Sequence, residues 1–252
     1  MEKLAVAFSG GVDSTLLLKI AYEALGENTI GIYADSPLQA SRERRGALLL
    51  AKEIGVRMIV FKMDKLDNDA FRNNPSNRCY LCKGLIFDEI IKVARANNFN
   101  NVVDGSNHDD FSDYRPGIKA LKERGIRSPL QEAGLTKDEI RLISKNFGLS
   151  TWDKDALACL ATRIPFGEEV SMQKLSIIDS AEEILIRKGF RNVRARHFGT
   201  LVRLEVRADQ VPQLTSEPLF GEINKEMILL GFKKVIAETE GYLKGRMNKL
   251  KE

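Results

Sequence analysis

The sequence predicts an α/β fold, a doubly wound parallel sheet followed by a smaller C-terminal α+β domain. Through the first 150 residues, short apolar runs rich in β-branched residues alternate with amphipathic helical runs. This alternation is typical of a parallel sheet with helices on both faces. From about residue 151 the alternation stops. We therefore expect one domain over residues 1–150 and a second over residues 151–252.

The first strand and the first helix are expected on either side of the stretch "SGGVDS" (9–14). "LAVAF" (4–8) is short and apolar, as a buried strand is, and "STLLLKIAYEAL" (14–25) has apolar residues at helical spacing. We expect Asp13 or Ser14 to cap this helix. The two glycines permit a tight turn, and free N–H groups at a helix start bind anions such as phosphate. An ordinary strand-to-helix turn is the alternative.

The remaining elements of the first domain follow the same alternation. We expect three more strands, at 29–35, 57–63 and 101–106, and three more helices, at 39–54, 85–98 and 136–147. The last helix opens with Thr136 and Glu139 in capping-box spacing. The carboxyl ends of parallel strands meet at one edge of a sheet, where ligands bind. Polar residues follow three of these strands and predict one nucleotide crevice: Ser9 to Ser14, Asp35 with Ser36, and Asp104 to Asn107.

The second domain is expected to begin with a long loop. Residues 151–170 lack periodicity, which is typical of a functional loop. A helix over 173–189 and a hairpin over 192–206 are expected next, because the hairpin residues alternate on both sides of "FGT" (198–200). A helix over 220–232 and a strand over 233–238 complete the α+β pattern.

Composition narrows the class of protein. The 252 residues carry 39 basic and 35 acidic side chains, a net charge of +4 that permits an anionic substrate without requiring nucleic acid. No apolar run reaches the roughly 18 residues of a transmembrane helix, and no leader precedes the first strand, so we expect a cytoplasmic protein without membrane attachment. Three cysteines in such a chain favour metal or sulfur chemistry over disulfides.

The stretch 9–14 has no lysine, so it is not a Walker A motif, and it also lacks the G-x-G-x-x-G dinucleotide pattern. It resembles the S-G-G-x-D-S loop of the N-type ATP pyrophosphatases, the PP-loop superfamily with an adenine nucleotide alpha hydrolase-like fold. The resemblance implies that ATP is cleaved between its α- and β-phosphates and that AMP passes to a substrate oxygen. Asp13 would organise Mg-ATP, a role compatible with a helix cap. The implied ATP-binding residues are Ser9, Gly10, Gly11, Asp13, Ser14, Ser36 and Gly105.

Four further stretches narrow the resemblance: "DGSNHDDFSDYRPG" (104–117), "ACLATRIPFGEE" (158–169), "VRARHFGTLVRLEV" (193–206) and "GYLKGRMN" (241–248). Together and in this order they resemble the LarE family, ATP-dependent sulfur transferases that mature the nickel-pincer cofactor of lactate racemase. The resemblance implies pyridinium-3,5-biscarboxylic acid mononucleotide as the substrate and a homo-oligomer as the assembly. One carboxylate would be adenylated by ATP-Mg, and sulfur would then replace AMP to give a thiocarboxylate.

The cysteines bear on the source of the sulfur. Cys79 and Cys82 have a C-x-x-C spacing, and Cys159 lies far away in "ACLATR", where Thr162 replaces the family's serine. Some relatives have only the last cysteine, which gives up its own sulfur and becomes dehydroalanine. Others carry three cysteines and resemble thiolases that bind a [4Fe-4S] cluster. This chain has the second pattern, so we expect Cys79, Cys82 and Cys159 to hold a cluster, with Cys159 also counted as catalytic.

Two alternatives for the cysteines remain open. Zinc could take three thiolates with His108 or His197 as the fourth ligand. Cys159 could instead be sacrificial, with Cys79 and Cys82 incidental. The sequence does not identify the sulfide donor.

The phosphate of the mononucleotide needs donors of its own. Arg194 and Arg196 alternate on a predicted strand and project to one face, where they could clamp a phosphate, and Arg163 is a third candidate. Solvated surface arginines are the alternative. Several other polar residues can be read either as site residues or as surface or packing residues: Glu168, Glu169, Glu182, Glu183, His197, Asp113 and Arg115.

Two other functions compete with this one. A tRNA-thiolating enzyme of the same superfamily should carry an RNA-binding module or paired zinc knuckles and a larger basic excess. A non-catalytic sensor of adenine nucleotides would not need cysteines beside an adenylation site. We therefore expect a small-molecule substrate and no nucleic acid partner.

Overall fold

The fold is taken from a computed structural model, which describes residues 3–63, 69–111, 116–155, 158–243 and 245–247. The chain divides into two compact units: Met1–Lys65 with Asn77–Leu157, and Leu66–Ser76 with Ala158–Glu252. No feature of the sequence indicated that residues 66–76 would belong to the second unit. The domain boundary at residue 150 stays a prediction, because compactness alone does not define a domain that folds independently.

The expected strands and helices are present in the expected order along the chain, with additional short helices between them. The strands are β1 (Leu4–Ala7), β2 (Thr29–Asp35), β3 (Arg57–Lys62), β4 (Asn101–Val103), β5 (Arg194–Phe198), β6 (Leu201–Glu205) and β7 (Lys234–Ala237). The helices are α1 (Val12–Leu25), α2 (Ser41–Ile54), α3 (Asp69–Arg72), α4 (Arg78–Ala96), α5 (Pro116–Lys122), α6 (Pro129–Glu132), α7 (Lys137–Asn146), α8 (Met172–Arg187), α9 (Val211–Leu214) and α10 (Leu219–Leu229).

The first unit is built on a parallel sheet of four strands in the order β3-β2-β1-β4. Leu4 and Val6 of β1 join an apolar core with residues of α1, α2 and α7. Ala5, the residue between them, joins a second core with residues of α4 and α5. Successive strand residues point to opposite faces, so both faces of the sheet are covered by helices. The doubly wound α/β prediction is confirmed.

Some local predictions were right and others need correction. The capping box of Thr136 and Glu139 is present at the start of α7. The helix-cap prediction was wrong: Asp13 and Ser14 lie inside α1, and Gly11 is the N-cap, with no side chain of the described residues capping it. Strand β4 ends at Val103, three residues earlier than expected. Helix α4 begins at Arg78, seven residues earlier than expected, so the C-x-x-C pair lies on a helix.

The second unit contains a three-stranded sheet in the order β5-β6-β7. Strands β5 and β6 form the expected antiparallel hairpin, and the turn between them contains Gly199 in the left-handed region, at φ +61°. The core of this unit packs residues of α8 and α10 against one face of the sheet, including Ala195, Val202 and Leu204. Among the described residues, no helix is long and apolar enough to span a membrane.

Candidate active site

The loop between β1 and α1 lies at the carboxyl edge of the parallel sheet. Hydrogen bonds between Ser9 and Ser14 join its two ends. The N–H of Ser9 donates to Oγ of Ser14 at 3.2 Å, and the two hydroxyl oxygens are 3.0 Å apart. Gly10 has φ +73°, and a Cβ there would lie 2.7 Å from the Cβ of Ala47 in α2. Only glycine therefore fits this turn, which delivers the backbone to the positive end of α1.

A second glycine brings the loop after β4 against the start of α1. A Cβ on Gly105 would lie 2.9 Å from the backbone N of Ser14 and 3.0 Å from its Cα. Contacts this short with backbone atoms would displace one of the two loops. The sequence analysis expected stretches 9–14 and 104–107 to belong to one crevice. In the structure, both stretches lie together at one edge of the sheet.

The carboxylate of Asp13 is the charged group at the centre of this edge. Nζ of Lys137 lies 2.7 Å from Oδ1 and 2.5 Å from Oδ2, and Nδ2 of Asn107 donates to Oδ1 at 3.1 Å. Lys137 is the first residue of α7 and is 124 residues away from Asp13. Sequence reasoning missed Lys137, because no local pattern links residues so far apart.

A second lysine reaches the same loop from a distance. Nζ of Lys154 donates to the carbonyl oxygen of Gly10 at 2.9 Å and forms an ion pair with Glu43 at 2.8 Å. It lies 144 residues from Gly10 and was also missed. The Walker A motif places its lysine within the loop. In this chain, Lys137 and Lys154 bring positive charge to a loop that has none of its own.

The ends of β2 and β4 carry further buried polar residues. Asp104 is 6% exposed and accepts hydrogen bonds from the hydroxyls of Ser128 at 2.5 Å and Ser106 at 2.7 Å. Nζ of Lys83 lies 3.5 Å from the same carboxylate. Ser36 is also buried, and its Oγ accepts the N–H of Leu38 at 3.3 Å, so this predicted ATP-binding residue shapes the turn after β2.

The cysteines are divided between the two units. Cys79 and Cys82 lie one turn apart near the start of α4, so they share one face of that helix; Cys79 is exposed and Cys82 is half-buried. Cys159 is half-buried and precedes a short 3₁₀ turn at Leu160–Arg163 in the second unit. None of the three forms a disulfide. Within the described ranges, no three Cys, His, Asp or Glu side chains group closely enough to hold a metal ion.

The loop that carries Cys159 is held by its neighbours along the chain. Thr162 donates its hydroxyl to the carbonyl oxygen of Cys159 at 2.7 Å. Nη1 of Arg163 donates to the carbonyl oxygens of Ala158 at 2.7 Å and Cys159 at 3.0 Å. Arg163 therefore wraps around the backbone of the cysteine, which explains why an arginine four residues after Cys159 is buried rather than solvated.

Asn74 fixes the continuation of the same loop and was missed by sequence reasoning. It is fully buried, has φ +50°, and its Nδ2 donates to the carbonyl oxygens of Ile164 at 3.3 Å and Pro165 at 2.6 Å. The left-handed backbone is one that asparagine tolerates better than most residues. No spacing in the sequence links residue 74 to a loop 90 residues later.

Three arginines form a buried cluster in the second unit. Arg163, Arg194 and Arg196 are 2–4% exposed, so the alternative of solvated surface arginines is wrong for all three. Burial, followed by the charge of Arg163, lowers the pKa of Arg194. The alternation of β5 places Arg194 and Arg196 on the face opposite Ala195, which packs in the core.

Two buried carboxylates accompany these guanidinium groups. Glu182 accepts Nε of Arg163 at 2.7 Å and Nη2 at 3.0 Å, so the surface-charge alternative is wrong for Glu182. Glu205 accepts Nε of Arg196 at 3.0 Å and Nη2 at 2.8 Å. Arg163 and Arg196 are thus held by buried carboxylates, and Arg194 adds a third buried guanidinium group to the same region.

His197 is a packing residue on the other side of β5. It is 6% exposed and its ring meets Phe232 edge-on, with 5.7 Å between the ring centres. Burial lowers its pKa below the ordinary histidine value. Asp113 and Arg115, two further candidates, lie outside the described residues.

Comparisons with known proteins show which proteins this chain resembles. The family model described as NAD synthase matches residues 1–108, which include the loop at 9–14. An uncharacterized protein of Synechocystis is 41% identical over 250 residues, 99% of this chain and 93% of the relative. An uncharacterized protein of Methanocaldococcus jannaschii is 34% identical over 241 residues, 96% of this chain and 91% of the relative.

A third relative has a name that states its product. The pyridinium-3,5-bisthiocarboxylic acid mononucleotide synthase of Lactiplantibacillus plantarum is 34% identical over 250 residues, 98% of this chain and 90% of the relative. The matched 250 residues of this chain span both units. The chain therefore belongs to the LarE family, the branch of the PP-loop ATP pyrophosphatases that contains this synthase.

Proposed function

We propose that this protein is an ATP-dependent sulfur transferase that converts a carboxylate of pyridinium-3,5-biscarboxylic acid mononucleotide into a thiocarboxylate. The observation that carries the proposal is the 34% identity, over 98% of the chain, to the synthase of the bisthiocarboxylic acid mononucleotide. The product would serve the synthesis of a nickel-pincer cofactor. The two anionic ends of the reaction, ATP and the phosphate of the mononucleotide, each have a group of cations available in this chain.

The first step would be adenylation. A carboxylate oxygen of the substrate attacks the α-phosphorus of ATP, the bond from that phosphorus to the bridging oxygen breaks, and pyrophosphate leaves with the electron pair. The N–H groups at the start of α1, with Lys137 and Lys154, would neutralise the departing pyrophosphate. Asp13 and the amide oxygen of Asn107 beside it would supply oxygen ligands of the kind that Mg²⁺ prefers.

The substrate would be held through its phosphate by Arg163, Arg194 and Arg196. All three guanidinium groups are buried, and Glu182 and Glu205 orient two of them, so they would meet a phosphate in fixed positions. Guanidinium groups suit this role because they bind phosphate oxygens in a bidentate geometry.

The second step would replace AMP by sulfur. A sulfur nucleophile attacks the acyl carbon, the carbon–oxygen bond to AMP breaks, and AMP leaves with the electron pair. Three thiolates could hold three irons of a [4Fe-4S] cluster, and Cys79 and Cys82 would supply two of them from one helix face. A cluster held by three cysteines would have one iron open to external sulfide. The alternative is that Cys159 gives up its own sulfur once.

Anaerobic purification followed by iron and acid-labile sulfide analysis separates these two sulfur sources. If the three cysteines hold a cluster, the protein is brown, and Cys79→Ala, Cys82→Ala and Cys159→Ala each lose colour and iron. With sulfide, the wild type then turns over many times and Cys159 keeps its mass. A colourless, iron-free preparation that makes one thiocarboxylate per chain, with Cys159 lighter by the lost thiol, would overturn the cluster.

The adenylation step is tested separately, by pyrophosphate release. We expect Asp13→Asn to abolish pyrophosphate release that depends on the mononucleotide, while the fold is kept, because Asp13 contributes to the loop and not to the apolar core. Asp138→Asn is the matched control, since Asp138 is an exposed aspartate in the first turn of α7. Wild-type pyrophosphate release by Asp13→Asn would contradict the ATP site.

A further inference from the structure

The segment that follows β7 docks tightly on the end of β6. The N–H of Tyr242 donates to the carbonyl oxygen of Val206 at 2.7 Å. Gly241 has φ +74°, and a Cβ there would lie 2.7 Å from Cα and 2.8 Å from N of Ala208. The close approach requires glycine, so the position of the next residue, Tyr242, is set by the backbone.

Arg246 binds other residues of the same segment. Its Nη2 donates to the carbonyl oxygen of Gly241 at 3.2 Å and lies 3.0 Å from the carboxylate of Glu240, and its Nη1 pairs with Glu238. These contacts link the glycine and the arginine of the pattern G-Y-x-x-G-R (241–246), and the aromatic residue of this pattern is Tyr242. Neither the ATP site nor the cysteine chemistry uses this pattern.

The side chain presented by this turn lies against Arg194. The guanidinium carbon of Arg194 lies over the ring of Tyr242, 4.6 Å from its centre. Arg194 is 4% exposed, and its Nη1 donates to the carbonyl oxygen of Val193 at 2.7 Å. An aromatic face stabilises a guanidinium group by cation–π attraction and restricts the rotation of its plane. Because all five N–H donors lie in that plane, the ring determines where they point.

We propose that Tyr242 is a positioning residue for substrate: it holds the plane of Arg194 so that this guanidinium meets the phosphate of the mononucleotide in a fixed orientation. The proposal rests on the proposed function, which assigns Arg194 to that phosphate. A side chain held in its binding geometry loses little conformational freedom when the ligand arrives, so the gain appears in substrate affinity. The KM for ATP should not change, because ATP is proposed to bind at the loop of the first unit.

The test measures KM for the mononucleotide and KM for ATP in pyrophosphate release, which does not depend on the source of sulfur. We expect Tyr242→Leu to raise the mononucleotide KM about 3- to 30-fold, the range of a buried cation–π contact, and to leave the ATP KM within about twofold. Tyr242→Phe keeps the aromatic face and should restore the wild-type KM. Phe198→Leu is the matched control, because Arg203 lies over the Phe198 ring at 5.1 Å in the same hairpin.

A double-mutant cycle with Arg194→Ala completes the test. If Tyr242 acts through Arg194, adding Tyr242→Leu to Arg194→Ala should change the mononucleotide KM no further. Tyr242→Met, whose unbranched side chain adapts better to the space left by the ring, replaces Tyr242→Leu if the latter unfolds at a lower temperature than the wild type. An unchanged KM in Arg194→Ala overturns the phosphate assignment and this proposal together. A raised KM in Arg194→Ala with an unchanged KM in Tyr242→Leu, or equal losses for ATP, overturns the positioning role alone.

Discussion

Replacing Glu182 by glutamine should destabilise the second unit by about 3–5 kcal/mol, the usual cost of removing one partner from a buried ion pair. Glu182 is fully buried in α8 and accepts both Nε and Nη2 of Arg163. It also accepts the N–H of Ala195 at 3.2 Å. The substitution keeps the size of the side chain, so the loss reports charge and hydrogen bonding rather than packing.

The magnitude follows from what glutamine leaves behind. Its amide has one acceptor oxygen, so an NH₂ group must face at least one N–H of Arg163 or Ala195. One buried donor left without a partner costs about 1–3 kcal/mol. The rest of the expected loss in stability comes from the charge of Arg163, which would no longer face a carboxylate. Arg163 is 2% exposed and lies near Arg194, which is also buried. Against a typical total stability of about 5–15 kcal/mol, this is a large fraction.

Urea unfolding followed by far-ultraviolet circular dichroism measures the loss, with Glu222→Gln as the matched control. Glu222 pairs with Lys188 at 2.7 Å but is 54% exposed, so its substitution should leave the free energy of unfolding close to the wild-type value. The single tryptophan, Trp152, lies in the first unit, and its fluorescence follows that unit in the same samples. A loss below about 1 kcal/mol in Glu182→Gln would refute the idea that Arg163 depends on Glu182.

Two further predictions concern the ATP loop and are read as KM and kcat in pyrophosphate release. Lys137→Met removes the cation beside Asp13 and should lower kcat/KM for ATP at least about tenfold, whereas Lys119→Met, on an exposed face of α5, should leave it unchanged. Gly105→Ala forces a Cβ to within 2.9 Å of the Ser14 backbone and should raise the ATP KM. Gly46→Ala, in α2 with open space around it, should instead raise stability by about 1 kcal/mol and leave the KM unchanged.

The sheet of the first unit could be predicted because its signals are local. β1 and β2 are short apolar runs, and the helices between the strands have apolar stripes that need no distant partner to be recognised. The cap of α1 was wrong for the opposite reason. The carboxylate of Asp13 pairs with the distant Lys137, and the hydroxyl of Ser14 bonds within the loop, to Ser9 and to the carbonyl oxygen of Gly11, so neither side chain caps a free N–H of the helix.

The candidate site was predicted only where the sequence keeps its residues together. The loop at 9–14 is contiguous, and Arg194 and Arg196 share a strand face by simple alternation. Lys137 and Lys154 lie 124 and 144 residues along the chain from the loop residues that they contact. No sequence pattern next to either lysine indicates this contact. Beyond β4, the N–H of Asp104 bonds to the carbonyl oxygen of Arg127 and its carboxylate accepts the hydroxyl of Ser128, partners that no periodicity could predict.

The two groups of cations differ in burial, and the difference matches the proposed steps. Lys137 and Lys154 keep 30% and 24% of their side chains exposed, and each is a flexible point charge. Such groups can follow a pyrophosphate that must leave in every turnover. Arg163 and Arg196 are held almost fully buried by Glu182 and Glu205, so their positions are set before substrate arrives. A rigid group of this kind suits a phosphate that stays bound while the carboxylate is adenylated and then thiolated, because it keeps the reacting carbon in place through both steps.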